Sequence, residues 1–355
     1  MTRHVAVIAT VLLTLSTASS EARFETQTAG GLDGTWTARY AGRKGEVPDT
    51  GRIYLQFQRE HNNMGQTWPA TSLPGLNLTA DADDIRIELR REAGTIVLTG
   101  SVRRSRGFGI FDFTPNTDFV RQIGASVGRK ELTPERLFAF AVHDVSRAFI
   151  QQIEALGYQN LALDDLLAMR IHGVTPAFIN EMRKLGFNNL SHDNLIAFRI
   201  HGVTPAFVTE MRNYGFAHLS SDDLVAMRIH GATPEFIRRM EGAGYKNLDA
   251  DNIVAARIHG VTPEFLDELK KQGYSGLDFD DLVAFRIHGV TPDFISEMSE
   301  AGYKSLSADR LVEFRIHGVD AEFVKDLKEQ GYTGLSAGDL VDARIHGRRW
   351  MRKRR

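Results

Sequence analysis

The chain of 355 residues contains no cysteine. That excludes disulfides, thiolate metal sites, a cysteine nucleophile and a lipid-anchoring cysteine. Common catalytic signatures are missing too. There is no His-Glu-x-x-His helix, no Gly-x-Ser-x-Gly turn and no Gly-x-x-x-x-Gly-Lys phosphate loop. Carboxylates are plentiful, but they gather at helix starts, where capping accounts for them. The sequence therefore calls for no catalytic residue, no cofactor and no metal set, and the chain is expected not to be an enzyme. Long apolar runs are equally scarce. Beyond the N-terminus none approaches 18 residues, so the mature protein is expected to be soluble.

What is present begins with a secretory pattern. Arg3 and His4 precede an apolar core, Val5 to Leu15, and small residues follow from Ser16 to Ser20. Residues 1–22 read as a signal peptide, residues 23–32 as a flexible lead-in, and the expected location is periplasmic or secreted. Hydrophobic residues make up 42% and charged residues 25% of the chain, as in an ordinary globular protein. The net charge is −2, yet six of the last eight residues are Arg or Lys, so the body is mildly acidic.

Residues 33–114 show period-two alternation. Thr35 to Tyr40, Arg52 to Phe57, Ile85 to Arg90, Thr95 to Val102 and Phe108 to Phe113 read as strands. A small antiparallel β-sandwich or partly closed barrel is expected, with His61 to Gly75 as a long loop. Gly34-Thr-Trp36 is similar to the motif that opens lipocalin and avidin-like barrels. Trp36, His61, Asn62 and Trp68 are the candidate ligand loop of this domain.

Residues 115–347 change texture. Histidines stand at 143, 172, 201, 230, 259, 288, 317 and 346, a constant spacing of 29, and glycines and leucines keep the same register. This is a repeat array. Each unit reads as two short helices. Thr204-Pro205 starts one, with an apolar stripe at Phe207, Val208 and Met211, and Gly215 ends it. The next opens at Ser220 and ends at Gly231, with Leu224, Val225, Met227 and Ile229 expected on its buried face. The fold class is α+β multidomain: the β-domain followed by an α-solenoid of about eight two-helix repeats.

The motif RIHGVTPAF at Arg170 brings arginine, histidine and glycine together in every unit. The pairs Arg170–His172, Arg199–His201, Arg228–His230, Arg257–His259, Arg286–His288 and Arg315–His317 are expected to form a structural ladder. Histidine would cap helix carbonyls, and arginine would pair with a first-turn aspartate. Repeat spacing near 10 Å keeps successive histidines too far apart to share a metal. The basic tail, 348–355, offers Arg348, Arg349, Arg352, Lys353, Arg354 and Arg355 for contact with polyanions or an anionic membrane surface.

The repeat Gly-Val-Thr-Pro-x-Phe…Gly-Tyr…Leu…Asp-Asp-Leu-Val-Ala-Phe-Arg-Ile-His, after a Gly-Thr-Trp domain, resembles a group of exported bacterial proteins. It is also similar to repeats fused to membrane metallopeptidases of the β-lactam-sensor type. The resemblance implies an extracytoplasmic sensing or interaction module. The zinc motif and membrane spans of the peptidase are absent here, so no catalytic residue carries over. A second likeness, through Gly202-Val-Thr-Pro, is to helix-hairpin-helix modules. The second glycine that would hold a phosphate is missing and the body is acidic, which argues against nucleic acid. The expected function is a non-enzymatic scaffold binding a protein or peptide partner. The alternatives are a ligand carrier or enzyme centred on the β-domain, and polyanion binding by the tail. Nothing in the sequence sets the oligomeric state.

Overall fold

Alternation of apolar and polar side chains makes the N-terminal part of the described chain, up to Pro115, a sheet. A computed structural model describes residues 31–42, 49–60, 62–127 and 132–347. The signal segment, most of the lead-in, His61 and the basic tail lie outside them. The chain divides into two compact units, the first ending at Phe149 and the second beginning at Ile150.

In the first unit six strands pair antiparallel: β1 (Leu32–Ala41), β2 (Asp49–Arg59), β3 (Asn62–Pro69), β4 (Ala82–Arg91), β5 (Gly94–Arg103) and β6 (Arg106–Pro115). Their order is β3-β2-β1-β6-β5-β4. Two three-strand meanders are thus joined where β1 pairs with β6. Five strands fall where the alternation places them. The reading of His61 to Gly75 as a loop is corrected by β3, which pairs with β2 from Arg59↔Asn62 to Arg52↔Pro69. In Asn62 to Pro69 only Thr67 is β-branched, so the backbone pairing carries a strand that the side chains hardly announce.

One face of the sheet is buried, through residues such as Leu55, Phe57, Leu98, Phe111 and Phe113. Trp36 is among them at 1% exposure. A Cβ on Gly107 of β6 would meet its ring at 2.7 Å, and its indole N–H donates to the Thr99 carbonyl of β5 at 3.1 Å. The ring therefore lies across the neighbouring strand, over a position only glycine can fill.

A helix, in place of a second sheet, covers this face. Helix α1 (Thr117–Val127) buries Phe119 and Ile123. Helix α2 (Pro134–His143) is capped by Thr133, whose side chain accepts from the Arg136 amide, and Leu137 to His143 are all buried. Phe138 stacks on Phe111 at 4.9 Å and meets Phe57 and Phe113 edge-on. Such ring pairs each contribute roughly 0.5–1.5 kcal/mol beyond their burial. The 29-residue spacing assigns α2 to the array, but its packing places it with the sheet.

The second unit continues from α3 (Arg147–Ala155) in two kinds of helix. One kind opens at Thr-Pro: α5 (Pro176–Lys184), α7 (Pro205–Asn213), α9 (Pro234–Gly242), α11 (Pro263–Lys271) and α13 (Pro292–Glu300), with α15 (Ala321–Glu329) opening at Asp320. The other kind carries Arg-Ile-His at its end: α4 (Leu163–Ile171), α6 (His192–His201), α8 (Ser221–Ile229), α10 (Ala250–His259), α12 (Phe279–His288), α14 (Ala308–His317) and α16 (Ala337–His346). Each threonine cap accepts from the amide of the phenylalanine three residues on, at 3.1–3.3 Å. Asp320 does the same for Phe323 at 2.8 Å, so the departure from Thr-Pro keeps its cap. Phe178 and its equivalents are buried up to Phe294; Phe323 is partly exposed. The Arg-Ile-His helices pack in succession, α4 on α6 through to α14 on α16.

Replacing Phe138 by alanine should destabilise the sheet unit by about 3–5 kcal/mol. Urea unfolding followed by tryptophan fluorescence checks this, and an unchanged midpoint would remove α2 from the core.

Candidate functional site: the Arg-Ile-His edge

The arginine of each motif reaches back to the preceding repeat. Arg199, Arg228, Arg257, Arg286 and Arg315 donate from Nε to the carbonyls of His172, His201, His230, His259 and His288, at 3.0–3.4 Å. The same guanidinium lies over the preceding phenylalanine ring, as Arg228 over Phe207 at 4.9 Å and Arg257 over Phe236 at 4.8 Å. It also presses on the preceding helix-ending glycine: a Cβ at Gly202 would come within 2.9 Å of Arg228 Nη2. Gly202 has φ 72°, the left-handed region that ends the helix. One planar cation thus ties the carbonyl and turn that end the preceding Arg-Ile-His helix to the ring of the Thr-Pro helix just before its own. Stacking of this kind contributes about 0.5–1 kcal/mol at exposed sites.

Two expectations for the ladder are corrected here. These five arginines make no ion pair with an aspartate among the described residues; their partner is a backbone carbonyl. The histidine side chains do not cap. His172, His201, His230, His259, His288 and His317 make no side-chain hydrogen bond among the described residues, and it is the histidine carbonyl that is used. Burial lowers the pKa of His172, which keeps it neutral at pH 7.

Two further tethers join successive repeats at the opposite turn. Tyr158, Tyr245, Tyr274 and Tyr303 donate to the carbonyls of Leu190, Leu277, Leu306 and Leu335 in the following repeat, at 2.7–3.0 Å. Arg183, Arg212 and Lys328 donate to the carbonyls that follow α3, α5 and α13, at Leu156, Leu185 and Ala301. At one step both are missing. Phe216 stands in the tyrosine position and Glu241 in the cation position, and neither side chain can donate. Arg257 is then the polar tether left between α7–α8 and α9–α10.

The residue between arginine and histidine faces outward. Ile171, Ile200, Ile229, Ile258, Ile287, Ile316 and Ile345 are 45–56% exposed. The expectation that Ile229 belongs to the buried face is corrected. Leu224 and Met227 are the buried residues of α8, and Ile229 lies two residues on, roughly 200° around the helix. One turn earlier stand Leu167, Ile196, Val225, Val254, Val283 and Val312, half-buried, beside Ala168, Ala197, Ala226, Ala255 and Ala284. Spacings of three and four put these on the isoleucine's face. At α14 and α16 the alanine position becomes Glu313 and Asp342, so the apolar strip is closed at that end. The strip sits toward basic helix ends, while carboxylates such as Asp222 and Asp223 occupy the first turns.

The other predicted site residues do not assemble. Trp36 and Trp68 are core residues, 1% and 4% exposed. Along β2, Trp36 sits opposite Phe57 and Asn62 opposite Arg59, on strands either side of β2, while Trp68 is opposite Ile53 further along. Arg91 lies over the Trp68 ring at 4.8 Å. The rings fill the interior in which a ligand cavity would have lain. His61 and the basic residues from Arg348 to Arg355 lie outside the described residues. Sequence reasoning missed the isoleucine row. Its signal was there, an isoleucine out of phase with the buried stripe by two residues in every repeat.

The chain matches no protein-family model, no curated protein and no solved structure.

Two outcomes follow from the tethers. Burial raises the pKa of Tyr245, Tyr274 and Tyr303. A raised folded-state pKa adds stability that is full below the unfolded value of about 10 and is lost as pH rises through the folded one. The melting temperature should therefore fall above about pH 10, and the triple Tyr→Phe variant should show a shallower fall. Separately, Arg257→Ala should split urea unfolding into two steps, while Arg286→Ala, whose step keeps the Tyr245 bond, should retain one. Coincident single transitions for both would contradict this.

Proposed function

We propose that the protein is an exported, non-enzymatic interaction scaffold that binds a protein or peptide partner along the Arg-Ile-His edge. The observation that carries this reading is the row of exposed isoleucines, one per repeat, on helices whose other apolar residues are buried or half-buried. Isolated exposed apolar residues are ordinary, but a contiguous row marks an interaction surface. Covering the exposed half of each isoleucine is worth on the order of 1 kcal/mol, so affinity needs a partner that spans several repeats. Repeats stacked in one register present such an extended surface. The neighbouring arginines and unpartnered imidazoles supply polar specificity at its margin. Export rests on the N-terminal signal pattern, and the resemblance to exported repeat proteins points the same way.

The experiment pairs cross-linking in the envelope fraction with the double variant Ile229→Asp, Ile258→Asp. Both positions are exposed, so the melting temperature should stay within about 2 °C of the parent. Partner bands captured by the parent should be lost. Identical bands with the variant, or repeated absence of bands with the parent, would refute the reading.

A further inference from the structure

At the step where two tethers are missing, the array opens into a cleft of about 550 Å³. It lies between the turn that joins α7 to α8 and the turn that joins α9 to α10. Phe216, Leu219, Ile237, Tyr245 and Ile253 give it apolar walls, while Asp223, Glu241, Asp249, Asp251 and His218 stand around them. At the next step, where Tyr245 bonds to the Leu277 carbonyl, the corresponding space is about 150 Å³.

The cleft's chemistry follows from what its neighbours contain. In the two preceding steps the carbonyl that ends α3 or α5 receives a guanidinium, Arg183 on Leu156 and Arg212 on Leu185. Here the equivalent carbonyl is that of Tyr214, and the equivalent side chain is Glu241. The Leu248 carbonyl likewise has Phe216 where four other steps have a tyrosine donor. Neither carbonyl receives a hydrogen bond among the described residues. Two of the carboxylates have other work: Asp223 accepts from the Ser220 amide and Asp249 from the Asn252 amide. The carboxylates of Glu241 and Asp251 have no hydrogen-bond partner among the described residues. The step thus keeps acceptors that elsewhere receive a cation and a tyrosine hydroxyl, removes both donors, and puts a carboxylate where the cation stood. Carbonyls, carboxylates and an apolar wall together suit a positive head on an aliphatic stem.

We propose that this cleft binds an organic cation, an alkylammonium or guanidinium group on an aliphatic stem, seated where Arg183 and Arg212 sit in the neighbouring steps. The site is on a different surface from the isoleucine row and does not depend on it. The head group donates its N–H groups to the Tyr214 and Leu248 carbonyls, with Glu241 as counter-ion. Its stem lies against Phe216 and Ile237. The occupant is either a free amine or the lysine or arginine side chain of a bound peptide, since both present the same head.

Calorimetric titration of the full chain with agmatine and with a blocked Gly-Lys-Gly peptide tests this. Binding of at least one probe at about 1 mM is expected; binding of agmatine alone identifies a free-amine site, and tighter binding of the peptide identifies a side-chain site. Glu241→Arg restores the internal donor and should weaken binding by at least about tenfold while raising the melting temperature. Glu241→Gln, which keeps the size and removes the charge, should also weaken it. Glu268→Arg, an exposed acid of α11 outside the cleft, controls for net charge and should change affinity less than about twofold. The Ile229→Asp, Ile258→Asp variant should bind agmatine as the parent does, so this proposal and the scaffold reading fail separately. Absence of binding by both probes overturns the proposal, as does unchanged affinity in Glu241→Arg and Glu241→Gln.

Discussion

The second unit depends on one contact: an arginine laid between its own repeat and the one before. Its Nε–H meets a histidine carbonyl, its plane covers a phenylalanine ring, and its tip abuts a glycine. A lysine offers a point charge without the plane or the fixed donor, which is reason enough for arginine at this position in every unit. The glycine follows from the same contact. It must turn left-handed to end the helix, and it must leave room for the guanidinium. Phenylalanine then has two roles, core residue on one side and cation platform on the other.

Because these contacts link only successive repeats, the array is as strong as its weakest step. Most steps have two or three polar tethers. The step between α7–α8 and α9–α10 has one, since Phe216 and Glu241 remove the others. The tyrosine-bearing turns also differ in backbone. Asn160, Asn247 and Ser305 adopt positive φ two residues after the tyrosine, while Asn189 and His218, after Phe187 and Phe216, do not. A change in one side chain is therefore coupled to a change in turn and in the space between repeats. That coupling lets a repetitive scaffold hold one place unlike the rest.

Much of this architecture was legible in the residues. The strands of alternating character, the threonine caps, the helix-ending glycines and the helix pairs all have local causes, and they appear where those causes stand. β3 was not legible, because Asn62 to Pro69 forms a strand by pairing with β2 rather than by its own propensity. Nor was the placement of α2. Its spacing is that of the repeats, while Phe138 finds its partners at Phe57, Phe111 and Phe113, which are distant in sequence.

The candidate site divides in the same way. The sequence by itself determined that Arg-Ile-His-Gly is a helix end repeated every 29 residues, since period, caps and glycine are local properties. Only the tertiary structure decided what each member does. A side chain's partner in the next repeat depends on the stacking geometry, so the arginine's carbonyl and ring could not be read from charge pairing. Histidine contributes through its backbone, which carries no residue-specific signal. Isoleucine, apolar by composition, is exposed because its angular position on the helix leaves it outside the packed face.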